Sequence, residues 1–237
     1  MTELIWSVLG LGFILGLKHA LDPDHIVAVS TIVCESSSVR RSSIIGTMWG
    51  LGHTASLGAL GFAVIGFKLR ITDAWASRAE LLVAFMLILL GLRTVLSCVR
   101  EWKFHVHVHE HGGRRHRHLH VHRHGEEKRH DHGHSLRAGL RPFLIGLVHG
   151  MAGSAALTIL VLSTIPSAKL GLIYIFVFGM GSLLGMLLTS TLLSLPFVFS
   201  RERFNLVNRA VQFALGIASV GFGLFLAYFH GIRPPSS

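Results

Sequence analysis

The chain has 237 residues, 51% of them hydrophobic and only 14% charged, which excludes an ordinary soluble core. Its net charge of +10 does not mark a nucleic-acid binder, because the basic residues lie between the apolar runs, where orientation and lipid headgroups account for them. Cys34 and Cys98 stand too far apart to form a CxxC metal site, and two isolated thiols imply no disulfide framework.

In chain order, six spans are predicted, at about 4–33, 43–67, 79–99, 139–164, 170–198 and 206–229. The first is interrupted at 19–25, and a competing reading folds it into a re-entrant hairpin. The start of the chain lacks a basic n-region and runs straight into this span, so it reads as a span rather than a cleaved signal. The fold class is therefore an all-α polytopic membrane protein, with segments 1–100, 101–138 and 139–237: a three-helix unit, a His-rich loop, and a second three-helix unit. Loops after spans one, three and five carry fifteen Lys/Arg, against five on the other face. The richer face should be cytoplasmic, which leaves both termini outside and the His-rich loop inside.

The first span holds the chemistry. Residues 16–30 lie inside an apolar run, yet carry Lys18, His19, Asp22, Asp24 and His25. A charge near the centre of a membrane helix costs about 2.5–3.5 kcal/mol on insertion scales, so such groups face an interior path and pair there. Pro23 removes a backbone donor and disfavours helical geometry at Asp22, so the helix should open at this point. Opened helices at membrane depth are where transporters build ion sites. The bland alternative is an ordinary Asp-Pro-Asp turn as the chain leaves the bilayer. Against it, the apolar run resumes at Ile26. A break at Pro23 lets Asp24 and His25 swing back toward His19. Two imidazoles and a carboxylate suit Ni²⁺, Co²⁺, Zn²⁺ or Cu²⁺ rather than Mg²⁺ or Ca²⁺. Lys18 reads as a counter-charge for Asp22 or Asp24, or as a gate.

Lys18-His19-Ala20-Leu21-Asp22-Pro23-Asp24-His25-Ile26 resembles the signature helix of the NiCoT nickel/cobalt permeases. Leu51-Gly52-His53-Thr54 is similar to that family's second motif. The resemblance covers the first third of the chain and implies a metal site at His19, Asp24, His25 and His53, with Ni²⁺ or Co²⁺ as cargo.

An internal repeat extends the reading to the second half. Gly16-Leu17-Lys18-His19-Ala20 lines up with Gly146-Leu147-Val148-His149-Gly150, and Trp49-Gly50-Leu51-Gly52-His53 with Phe178-Gly179-Met180-Gly181-Ser182. Three spans per half is an odd number, so the halves would be two inverted three-helix repeats with the site between them. The expected ligand set is then His19, Asp22, Asp24, His25, His53 and His149. Asp24 and His25 correspond to Ser154 and Ala155, so the first half supplies most of the ligands. Gly146-Leu147-Val148-His149-Gly150-Met151-Ala152-Gly153-Ser154-Ala155-Ala156-Leu157 resembles the UreH-like branch of the broader NicO superfamily instead.

Residues 105–134 hold twelve of the seventeen histidines, many in His-x-His alternation. The alternation hints at a strand, but the composition has little to bury and predicts disorder, with a metal-gathering role. The functional expectation is a secondary permease for a transition-metal cation in the cell (inner) membrane, not an enzyme and without a catalytic cofactor. Its partners are the metal ion, the bilayer and, on the cytoplasmic side, a metallochaperone; oligomeric state is not legible. Efflux through the same site, and metal delivery to an enzyme such as urease without transport, are the alternatives. A thiol-redox conductor is the reading from another class, disfavoured because Cys34 aligns with Thr164 and Cys98 has no counterpart.

Overall fold

A computed structural model of the chain describes residues 2–36, 38–69, 71–101, 105–111, 114–120, 139–152, 167–200 and 205–231. Seven helices emerge among them: α1 (Thr2–His19), α2 (Pro23–Val33), α3 (Val39–Phe67), α4 (Asp73–Glu101), α5 (139–152), α6 (Ala168–Ser200) and α7 (Asn205–Gly231). Among the described residues, four stretches are long and apolar enough to cross a membrane: Val39–Phe67, Asp73–Arg100, Ala168–Ser200 and Leu206–Gly231. The first predicted span is divided between α1 and the eleven-residue α2. The end of the fourth, beyond residue 152, lies outside the described residues.

The break in the first span falls where Pro23 places it. Leu21 and Asp22 close α1 by bonding back three residues, to the carbonyls of Lys18 and His19. Asp22 then adopts an extended backbone as the N-cap of α2, with Pro23 in the first turn, where its missing N–H is harmless. The far end of α2 is tied down. Thr94 donates to Glu35 at 3.3 Å, Arg93 lies 3.7 Å from the same carboxylate, and Gln212 donates to the Cys34 carbonyl at 2.9 Å.

Backbone-to-backbone crossings position everything else. A Cβ added at Gly16 would collide with the Phe178 carbonyl, and one at Gly181 with that of Phe13. A Cβ at Gly52 would strike the Phe143 carbonyl, and one at Gly146 that of Trp49. Small residues let membrane helices approach this closely, and hydroxyls then bridge them. Ser56 donates to the Leu147 carbonyl at 2.6 Å, Thr54 to Gly179 at 3.0 Å, and Ser219 to Leu87 at 2.9 Å.

These contacts also give the directions of packed pairs. Gly12 meets Tyr174 and Gly16 meets Phe178, so α1 and α6 run parallel. Gly146 meets Trp49 and Gly150 meets His53, so α5 runs parallel to α3. Gly46 meets Ser190 while Gly61 meets Ile175, so α3 and α6 are antiparallel, and Gly91 on Gly216 with Gly223 on Ala84 makes α4 and α7 antiparallel. Phe85, Leu89, Leu92 and Leu96 on α4, and Leu224, Phe225 and Tyr228 on α7, are exposed, a surface that suits lipid rather than water.

The His-rich segment departs from the expectation of disorder over part of its length. His105–His111 (β1) and Arg114–His120 (β2) pair as an antiparallel hairpin, with His105 opposite His120, His107 opposite His118 and His109 opposite His116. The two-residue alternation that hinted at a strand is the period such a ladder requires. The rest of the stretch, 121–134, lies outside the described residues.

Candidate metal centre

Four histidines from four helices converge where α1 gives way to α2. His19 ends α1, His25 lies in the first turn of α2, His53 sits mid-α3 and His149 near the end of the described part of α5. Ring centroids are 4.6 Å apart for His19–His25, 5.2 Å for His19–His53, 5.1 Å for His25–His53 and 4.0 Å for His25–His149. His25, His53 and His149 are each no more than 1% exposed.

The carboxylates orient the rings. Asp22 Oδ2 accepts from His19 Nδ1 at 2.7 Å, which leaves Nε2 of that ring carrying its lone pair. Asp24 reaches two rings: Oδ1 accepts from His25 Nδ1 at 3.1 Å and Oδ2 from His149 Nε2 at 2.8 Å. Carboxylate–histidine pairs of this kind fix the tautomer and ring orientation of a metal ligand. Both aspartates are thus partnered by histidines, and Lys18 is exposed.

Five ring nitrogens remain buried without a hydrogen-bond partner: Nε2 of His19, Nε2 of His25, both nitrogens of His53 and Nδ1 of His149. Leaving one polar atom in that state costs about 1–3 kcal/mol, so ordinary packing does not gather several at one point. A cation that accepts imidazole lone pairs would supply the missing partner. The donor atoms of His19, His25 and His53 lie within 4.8 Å of one another, as do those of Asp24, His25 and His149. Asp22 falls outside both groups and acts on His19 instead. Asp22→Asn, measured by cobalt titration in detergent, should weaken binding by about 10–100-fold, the usual cost of losing an outer-shell partner.

Sequence reasoning missed the walls of this cage. Trp49 is fully buried and stacks on His25 at 5.6 Å, with His149 at 5.5 Å on it as well. Phe178 lies 5.5 Å from His19. Ser182, which aligns with His53 in the repeat, is buried with an unpartnered hydroxyl. The signal was available in the repeat alignment, where Trp49 stands opposite Phe178.

A bundle of apolar helices enclosing a histidine–carboxylate cage of this kind is a membrane protein that handles a transition-metal ion. The chain belongs to the NicO family, described as high-affinity nickel-transport protein, which matches residues 5–231. It is 39% identical over 226 residues to the urease accessory protein UreH of Bacillus sp. (strain TB-90), covering 95% of this chain and 92% of that protein. It is 21% identical over 218 residues to the chloroplast protein FOR GROWTH AND FERTILITY 1 of Arabidopsis thaliana, spanning 90% of this chain but 56% of that protein. No solved structure matches the chain.

Proposed function

We propose that the chain is a secondary permease that carries a divalent late first-row cation, nickel first and cobalt next, into the cell through the His19/Asp24/His25/His53/His149 cage, with Asp22 as its outer support. The observation that carries this reading is the set of buried, unpartnered imidazole nitrogens gathered at a broken membrane helix. Imidazole with carboxylate favours Ni²⁺, Co²⁺, Cu²⁺ and Zn²⁺ over Mg²⁺ and Ca²⁺, and the family description points to nickel among them. With no nucleotide motif in the sequence, the driving force is the membrane potential or an ion gradient. A divalent cation moving inward gains about 4.6 kcal/mol per 100 mV, at about 2.3 per charge.

The carrier mechanism rests on two inverted three-helix units, α1/α2–α3–α4 and α5–α6–α7, rocking about the cage. Reciprocal contacts support it. Gly16 on Phe178 is matched by Gly146 on Trp49, and Gly181 on Phe13 by Gly52 on Phe143, each pair related by the sequence repeat. The directions agree as well: α1 runs with α6, α6 against α3, and α3 with α5, so α1 and α5 oppose one another. The excess of basic residues supports a cytoplasmic His-rich segment with both termini outside.

A second reading is favoured by the relative named a urease accessory protein. The chain would then supply nickel to a metalloenzyme, either by importing it or by handing it on without transport. Total Ni, Co, Zn, Mn and Fe in cells expressing the chain separates these readings. A rise in nickel or cobalt is expected. A fall means efflux, and no change moves the non-transporting accessory reading to the front. Deleting 105–134 should shift the metal concentration at which accumulation saturates and leave transport itself in place; complete loss of flux in a well-expressed deletion would contradict a buffering role for that segment.

A further inference from the structure

The cage is larger than one coordination sphere. Two groups of three donors fit within 4.8 Å, and they share one residue, His25. His19, His25 and His53 all come from the first half of the chain. Asp24, His25 and His149 join α2 to α5. His149 and His53 both sit against the shared ring, with centroids 4.0 Å and 5.1 Å from that of His25, and stand 6.1 Å from each other. The ring itself has two distinct edges. Nδ1 faces Asp24 at 3.1 Å, and Nε2 is buried with no partner.

We propose that the cation occupies two successive positions pivoting on His25, an all-imidazole position at His19/His25/His53 and a carboxylate-containing position at Asp24/His25/His149. The inference rests on the proposed function and adds an order to it. In the present structure the second position is closed by its own hydrogen bonds, from His25 Nδ1 and His149 Nε2 to Asp24. At the first, Nε2 of His19, Nε2 of His25 and both nitrogens of His53 make no hydrogen bond. A cation on the three imidazoles leaves Asp24 holding His25 from behind. An ion that takes Asp24, His25 Nδ1 and His149 Nε2 together replaces those two hydrogen bonds, and the two protons move to the other nitrogen of each ring, His25 Nε2 and His149 Nδ1. A protonated His25 Nε2 no longer binds at the first position, so the positions exclude one another. The chemistry differs too. Three imidazoles favour late first-row metals, whereas a set containing a carboxylate discriminates less against harder cations. His25 serves both positions through different nitrogens: the ion leaves Nε2 as it is taken on Nδ1. Because His149 belongs to the second half, the second position exists only while the halves are apposed here.

The test uses Co²⁺ alone, on the full chain purified in detergent and on the same protein in vesicles. The replacements are His53→Gln and His149→Gln, which keep side-chain bulk. His53→Gln is expected to weaken Co²⁺ binding at least tenfold. His149→Gln should bind within about threefold of wild type yet carry no flux. Equal weakening by both replacements would overturn the relay and leave a single site, with the proposed function intact. No weakening by either would overturn the relay and put the bound metal elsewhere. Absence of Co²⁺ binding by wild type would overturn the proposed function itself. X-ray absorption on wild type at substoichiometric cobalt gives a reading free of mutant folding. Three imidazoles without carboxylate support the relay's first position, and a bound carboxylate contradicts it.

Discussion

His25→Ala is expected to remove specific nickel and cobalt binding, with a loss greater than the ~10–100-fold typical of an outer-shell partner. His25 belongs to both donor groups, so no subset of the cage survives its removal as a three-ligand site. It also carries the link to Asp24, whose other oxygen holds His149. Removing the ring leaves that carboxylate supported from one side only. Titration calorimetry with Ni²⁺ on the purified protein checks this, with thermal melting to separate lost ligation from lost folding. Wild-type affinity in a folded His25→Ala protein would contradict the assignment of the cage.

The second large effect is expected at the crossings. Gly52→Ala and Gly146→Ala should each lower stability by more than the ~1–3 kcal/mol of ordinary core overpacking, because the added methyl meets a backbone carbonyl that no rotamer change can move aside. Gly58 provides the control, since a Cβ there meets nothing within 4 Å. Gly58→Ala should be neutral or stabilising by up to about 1 kcal/mol, from helix propensity alone. Melting curves in one detergent give all three values. Similar behaviour at the three positions would mean that α3 and α5 do not cross in contact. Flux should fail together with the crossing, because His53 and His149 are brought together by the α3–α5 contact.

Much of this was legible in the sequence, for identifiable reasons. Pro23 acts through its own ring on its own neighbours, so the end of α1 at His19 and the start of α2 could be read locally. The histidines could be gathered because each interrupts an otherwise apolar run, and polar groups at that depth face one another. Direct ligation by Asp22 was not a local question. Its carboxylate reaches back to His19 across the turn at Ala20 and Leu21, and only the folded turn decides that. The double reach of Asp24 was equally hidden, since His149 lies 125 residues away. Trp49 and Phe178 read as apolar bulk until the crossings of α1 with α6 and of α5 with α3 place them beside the rings. In the His-rich segment two rules competed. Low apolar content argued for disorder and two-residue alternation for a strand, and over 105–120 the alternation prevails.

The most direct test of the central claim is nickel flux into vesicles reconstituted with the purified wild-type chain or with His25→Ala, under an inside-negative potential. Accumulation of Ni²⁺ by wild type alone, absent from the variant and from empty vesicles, is the predicted result. Wild-type vesicles that bind nickel yet accumulate no more than empty ones would contradict transport and identify the cage as a site for metal delivery instead.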